Sequence, residues 1–347
     1  MTSRPVPAAR SALVQSWRVQ FVALSAIWGS SFLCIKVLDD VWSPVQVALA
    51  RVALGAIFLV AVLALKGTLL PRGRAVWVHV AVAGALMNAL PFTLFAFGEQ
   101  HVSSVIAGLW NGTTPLMTLV AVLVLLPGER PDRRRLAGLA GGFAGIVVLL
   151  GPWQGLGGDE LLGHLACALG ACCYGIGLTY TRRHLSARPE SGLSLATAQL
   201  LCATAMLTVV APLSGAPSFA LNGGQIAGAL VLGVLGSGVA YVLTHAIVRA
   251  AGPTTFSLVT YVIPIFSTIL GVLILSEAVS WNEPVGAAIV LGSMWAASRS
   301  AAGSGRLPWP RGRSDRIRSR QGHGGRAPAA GSVVQARAPR PADDRGT

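Results

Sequence analysis

The chain has 347 residues, of which 53% are hydrophobic and 12% charged, with mean hydropathy +0.63 and formal net charge +14. A soluble domain carries about 25% charged residues to keep its surface hydrated, roughly twice the share found here. Composition therefore argues against a soluble enzyme, and against a nucleic-acid binder despite the positive charge; it is that of an integral membrane protein.

A helix rising 1.5 Å per residue needs about 20 apolar residues to cross roughly 30 Å of hydrocarbon. Ten stretches meet or approach that length, numbered here as spans 1 to 10: 20–38, 44–65, 75–97, 102–126, 135–152, 160–180, 193–213, 225–247, 254–276 and 283–299. The fifth and tenth are short. Residues 1–19 form a segment ahead of the first span. That span resembles a signal peptide only superficially, because its apolar run is too long and lacks a small-residue cleavage site.

The loops alternate in charge. Arg4, Arg10 and Arg18 precede span 1, and Lys66, Arg72 and Arg74 follow span 2. Arg130, Arg133, Arg134 and Arg135 follow span 4, Arg182, Arg183 and Arg188 follow span 6, and Arg249 follows span 8. The intervening loops hold Asp39, Asp40, Glu99, Asp159, Glu160, Glu277 and Glu283, with no Lys or Arg. Of 27 basic residues, 14 lie in the first group, 11 in residues 299–347 and two, Lys36 and Arg51, inside spans. Basic loops stay in the cytoplasm, so both termini are expected there. Trp17, Trp42, Trp77, Trp153 and Trp281 fall near span ends, as interfacial anchors do.

Residues 300–347 change to Arg, Gly, Pro, Ala and Ser, a composition that cannot bury a core and reads as a disordered basic tail. It either holds anionic inner-leaflet lipid or is simply solvated. Trp309 is its single aromatic residue, too few to stack nucleic acid. Cys34, Cys167, Cys172, Cys173 and Cys202 lie in apolar stretches without a C-x-x-C pair, as small buried hydrophobes. No metal or other cofactor is expected.

An internal repeat organises the spans. Span 4 runs from Ser104 to Pro115 and ends at Gly128-Glu129; span 9 runs from Pro253 to Pro264 and ends at Glu277. The prolines are 149 residues apart and the glutamates 148. Trp28-Gly29 matches Tyr174-Gly175 at an offset of 146, and Arg51 matches Gln199, as Gly138 matches Gly286, at 148. Two units, 20–152 and 160–299, are thus five-span copies. An odd count inserts the second copy upside down, giving the inverted repeat that recurs in secondary transporters.

The sequence resembles the drug/metabolite transporter superfamily, of the EamA-type ten-helix kind. The resemblance covers residues 20–299. It rests on Trp28-Gly-Ser-Ser-Phe32 with Lys36, on Arg51, on Pro115 with Gly128-Glu129, and on Pro264 with Glu277. Gln199 stands where the repeat would place a second arginine, and Ser293 where it would place a glycine. The resemblance implies an all-α carrier of small organic metabolites in a bacterial inner membrane, often an exporter of amino acids or related compounds. It also implies a cavity lined by spans 1, 3, 4, 6, 8 and 9.

On those spans the candidate cavity residues are Trp28, Ser31, Asn88, Asn111, Tyr174, Tyr241, Thr260 and Tyr261. Few charges and several aromatics suit a mostly apolar zwitterion or an aromatic metabolite. Most polar residues in a bundle are interhelical glue, so only a fraction of these would touch the solute. Pro115 and Pro264 each lack an amide and clash with the carbonyl four residues earlier, that of Asn111 or Thr260. They are expected to break their helices, either beside the cavity as gates or as kinks that serve packing. Lys36, near the end of span 1, reads as an interfacial anchor. Arg51 lies about 10 Å into span 2, where a charge costs about 2.5–3.5 kcal/mol. It calls for helix-end carbonyls, an acidic residue or a substrate carboxylate as partner. His164 and His245 could carry a coupling proton, though two isolated histidines make no relay. Glu129 and Glu277, at helix exits, read as solvated or capping residues, and no carboxylate is placed deep in a span. Gly138, Gly141, Gly142 and Gly145 space small residues for close packing, within one chain or across a homodimer.

The sequence thus predicts a secondary transporter working by alternating access in the lipid bilayer, without ATP, since no phosphate-binding loop is present. A membrane-embedded enzyme would need a polar catalytic cluster. A channel would favour an oligomeric ring of like polar groups.

Overall fold

The computed structural model describes residues 16–126, 133–154 and 157–303. Gly128, Glu129 and Arg130, most of the segment before span 1, and the basic tail from residue 304 lie outside the described residues. Ten helical segments follow one another among those described. They are α1 (Trp17–Asp39), α2 (Pro44–Leu65), α3 (Arg74–Glu99), α4 (Ser104–Leu125), α5 (Arg133–Leu150), α6 (Gly158–His184), α7 (Gly192–Ser214), α8 (Gly223–Pro253), α9 (Thr255–Leu275) and α10 (Asn282–Gly303). Eight of them, α1–α4 and α6–α9, are long and apolar enough to cross a membrane, while the apolar part of α5 is limited to Leu136–Leu150. The described residues contain no β-strand. The last helix runs through Gly303, past the expected end of span 10 and into the stretch read as disordered tail.

Local chemistry fixes the ends. Ser43 caps α2 through a capping box with Gln46, with Pro44 in the first turn, and Asn222 and Gln225 form the capping box of α8. Gly252, at φ 84°, turns α8 into α9 through a left-handed conformation that a side chain would strain. Outward faces are apolar: Ile57, Leu65, Val209 and Leu273 are 67%, 88%, 78% and 76% exposed. Such surface is stable only against lipid.

The helix pairings map onto themselves when every helix is advanced by five. Helix α1 packs on α9 as α6 packs on α4; α2 packs on α8 as α7 packs on α3; and α3 meets α6 as α8 meets α1. Helices α2 and α7, α4 and α9, and α5 and α10 pair with their own counterparts. Matching π-helical stretches widen α3 at Ala85–Ala89 and α8 at Val231–Val239. The glycine stripe of α5 is used within the chain. A Cβ on Gly145 would lie 2.8 Å from the Val290 amide nitrogen of α10, and one on Gly286 would lie 2.6 Å from Leu149 Cα.

Candidate functional site

Arg51 lies at the meeting of α2, α3 and α8. Its side chain is 7% exposed, and its guanidinium carbon sits 3.8 Å from the centre of the Phe92 ring. Nε donates to Ser237 Oγ at 3.3 Å, in the π-helical part of α8. Tyr174 and Tyr241, with Cys34 and Glu99, are its electrostatic neighbours. Among the described residues no carboxylate forms an ion pair with it. The expected clamp by an acidic residue or by helix-end carbonyls is therefore replaced by a hydroxyl and an aromatic face. A cation over a desolvated ring gains about 2 kcal/mol or more, and the Ser237 hydroxyl adds one hydrogen bond.

Around it the π-helical widening of α3 turns Asn88 inward. Asn88 is fully buried and its Oδ1 accepts the Tyr241 hydroxyl at 2.7 Å, while its Nδ2 has no partner. Tyr174 stacks on Phe95 at 6.0 Å and packs against two of the apolar clusters. Trp28 spends its indole N–H on the Gly236 carbonyl at 3.0 Å and meets Phe256 edge-on at 6.1 Å. Ser31 is buried and returns its hydroxyl to the Ile27 carbonyl. Tyr261 packs on the core that holds Trp110 and Ile263. Asn111 and Thr260 are half-buried on α4 and α9. The structure thus brings together Trp28, Ser31, Asn88, Tyr174 and Tyr241 around Arg51.

The two prolines differ. Helix α4 breaks at Thr113, just before Pro115, and the Asn111 carbonyl freed by the break accepts the Thr114 hydroxyl at 2.7 Å. Helix α9 is interrupted at Leu258 instead, and Pro264 lies inside the continuous helix Val259–Leu275. The expectation of a break at each proline thus fails at Pro264. Helix α4 crosses there: a Cβ on Gly112 would lie 2.8 Å from Pro264 Cγ, and one on Gly108 2.6 Å from Ser267 Cβ. Helices α4 and α9 therefore press against each other at small residues.

At the face carrying the acidic loops, Lys36 turns inward instead of reaching for an interface. Its ammonium donates to the backbone carbonyl of Glu99, and to that of Val102 at 3.2 Å, so it caps the end of α3. The Glu99 carbonyl, in the last turn of α3, lacks a helical donor and carries the negative end of the dipole. Glu99, read from the sequence as a loop residue, is the last residue of α3 and is wholly buried, with neither carboxyl oxygen hydrogen-bonded. The Asp39 carboxyl oxygens are likewise buried and unpartnered. Glu277 is a cap, though of another helix: it accepts the Ser104 and Val105 amides at the start of α4.

His164 is 2% exposed and accepts the Trp110 indole N–H on Nδ1 at 2.9 Å; Nε2 stands 3.9 Å from Glu160. An indole only donates, so this Nδ1 bears no proton. His245 contacts the Tyr241 carbonyl through Nδ1 at 2.7 Å. At the basic face His79, Tyr180 and His184 form an aromatic group, with His79 Nδ1 2.7 Å from the Tyr180 hydroxyl and the two imidazoles stacked at 4.7 Å.

Phe92, Ser237 and Glu99 escaped the sequence reading. Their signal was spacing: Asn88, Phe92, Phe95 and Glu99 recur on one helical face, and Ser237 stands 149 residues after Asn88, the offset of the prolines. Two clefts flank the site. One of about 640 Å³ lies between the start of α2 and the end of α7, lined by Trp42, Gln46, Thr208 and Pro212. The other, of about 440 Å³, is lined by Lys36, His101, Ser103, Glu160 and Glu277 at the acidic face.

Comparisons with known proteins agree with this architecture. The family model described as "EamA-like transporter family" matches twice, at residues 15–151 and 161–299. The inner membrane transporter YedA of Escherichia coli (strain K12) is 28% identical over 265 residues, 75% of this chain and 83% of its own. Protein PecM of Dickeya dadantii is 25% identical over 269 residues, covering 77% and 87%. The aromatic amino acid exporter YddG of Ancylobacter novellus is 27% identical over 221 residues, covering 62% and 73%. A solved crystal structure with 22% identity superposes at TM-score 0.59 over 84% of this chain and 99% of its own, a shared fold.

Proposed function

Since this chain belongs to the EamA-like transporter family, and so is a multi-pass inner-membrane transporter of small solutes, we propose that it is a secondary exporter. In this reading ten membrane helices form two inverted five-helix repeats, 20–152 and 160–299, that open a shared cavity to alternate faces. Both termini lie in the cytoplasm, so the acidic loops face the periplasm. The solute is a mostly apolar metabolite with a carboxylate, an aromatic amino acid or a close analogue.

One observation carries the substrate class: the buried Arg51 guanidinium faces Phe92, Tyr174 and Tyr241 without a carboxylate partner. A substrate carboxylate would supply the missing counter-charge, since Arg presents a fork of donors that matches it. The surrounding rings would accept an aromatic side chain. The name of the exporter YddG points the same way. In this assignment Trp28, Ser31, Asn88, Asn111, Thr260 and Tyr261 shape the walls, and the break before Pro115 lets half of α4 move. The Pro264 crossing is its hinge partner.

Proteoliposomes loaded with labelled L-phenylalanine or L-tryptophan test this directly. Efflux above that of empty liposomes is expected, with competition by other aromatic carboxylates and none by aromatic amines. Equal competition by the amines would remove the role given to Arg51. An export profile of cells overproducing the chain, against cells without it, would then identify the native solute.

A further inference from the structure

The mechanism above leaves Glu99 unused, yet its carboxyl group is buried at a cost that nothing in that mechanism explains. It is wholly buried at the end of α3, and neither carboxyl oxygen has a hydrogen-bond donor. Lys36, the nearest cation, has committed its ammonium to the backbone carbonyls of Glu99 and Val102. The other groups facing the carboxyl are Asp39 and Cys34 from α1, Arg51 from α2, Cys167 from α6 and Glu277 beyond α9. Of these, Asp39 repels a second negative charge, Glu277 is already used as a cap, and the two thiols are neutral and at best weak donors. An ionised carboxylate taken from water and left without a donor is among the costliest arrangements a protein can hold.

A proton relieves that cost without needing room. A metal ion would need several converging ligands, and among the described residues no three His, Cys, Asp or Glu side chains could hold one. The way out is short. The cleft of about 440 Å³ at the acidic face is lined by Lys36 and Gln100, the residue next to Glu99, and is bounded by Glu277. Two contacts cross that face: Lys36 from α1 on the end of α3, and Glu277 from beyond α9 on the start of α4.

We propose that Glu99 is a proton-binding site coupled to the acidic-face gate. It holds one proton while that face is closed over it, and releases the proton to the solution on that side when the face opens. The site deepens the transporter reading and rests on it. The step is a single O–H dissociation: the carboxylic acid becomes a carboxylate hydrated by the opened cleft, and the proton passes to the water there. Opening is then favoured as the pH rises, by at most about tenfold per pH unit for one proton.

Hydrogen–deuterium exchange of the full chain in lipid nanodiscs reads this without any solute. Protection factors for amides 98–106 are compared at about pH 6 and about pH 8, between the ordinary carboxyl and lysine ranges. They are ratios to intrinsic exchange rates, so base catalysis cancels. In the unmodified chain protection is expected to fall about tenfold or more across that interval. Glu99→Gln, which mimics the protonated form, is expected to show high protection at both values, and Glu99→Asp to keep the fall with a shifted midpoint. A pH-independent unmodified chain, or a Glu99→Gln chain with the same fall, overturns the proposal. Should Glu99→Gln not fold, an unshifted midpoint in Glu99→Asp overturns it. A chain that exports solute yet fails this assay loses only the proton site. One that passes the assay but moves no solute loses the carrier reading instead.

Discussion

The carboxylate of Glu277, just beyond α9, accepts the amide of Ser104 at 2.9 Å and its hydroxyl at 2.8 Å, across 173 residues of sequence. It also takes the Val105 amide at 3.1 Å. The first turn of a helix leaves its amides without partners and carries the positive end of the dipole, so a carboxylate there is doubly favoured. The exit of a helix in one repeat thus caps the beginning of a helix in the other, and parting the two at the acidic face breaks this junction.

Glu277→Ala is accordingly expected to cost about 1.5–3 kcal/mol, the value of charge-assisted bonds to a partly buried carboxylate, and Glu277→Gln less. Thermal unfolding in detergent checks the stability. Exchange at Ser104 and Val105 checks the location, and should accelerate well before distant helices respond.

Arg51 separates binding from scaffolding. Arg51→Lys keeps a cation but loses the planar face against Phe92 and the donor fork, so folding is expected to survive while the half-saturation concentration for an aromatic carboxylate rises about tenfold or more. Uptake kinetics in proteoliposomes, beside a folding check, decide it. An unfolded Arg51→Lys chain would make the residue a clamp.

His164 is expected to be a structural acceptor. His164→Asn retains an oxygen for the Trp110 indole and should cost about 1 kcal/mol, with the pH profile of transport unchanged. A shifted profile would restore it as a proton carrier.

Close packing gives a sharper prediction. A Cβ on Gly175 would lie 2.6 Å from the Met117 carbonyl carbon, which is backbone and cannot rotate away. Gly175→Ala is expected to push α6 from α4 and to destabilise by about 1–3 kcal/mol. Gly292→Ala, whose Cβ meets open space, should be neutral in the same unfolding experiment.

Pro115→Ala and Pro264→Ala should behave differently, because only the first sits at a broken helix. Pro115→Ala would let α4 become continuous through Thr113 and slow transport about tenfold or more, whereas Pro264→Ala mainly removes a contact with Gly112. Initial rates of export check both. Unchanged rates in both would end the gating role.

Hydropathy and loop charge placed the helices to within a few residues, and the offset near 148 exposed the two copies, because lipid forces every span to be long, apolar and helical. Individual side chains were harder to read. Lys36 two residues from a span end looked like an anchor, yet the carbonyls closing α3 drew it inward. Glu99 looked like a loop residue, because only the packing of α1 and α6 around the end of α3 buries it. Phe92 carried a readable signal in its spacing from Asn88, but nothing local says that Arg51 will lie on its ring.

The amino-acid order by itself determined membrane residence, helix placement and duplication, since each follows from composition and periodicity along the chain. Tertiary structure alone decided which charges are capped, which are stacked and which stand unpartnered. Those outcomes depend on residues well over a hundred positions apart, such as Arg51 and Ser237, meeting across helix interfaces.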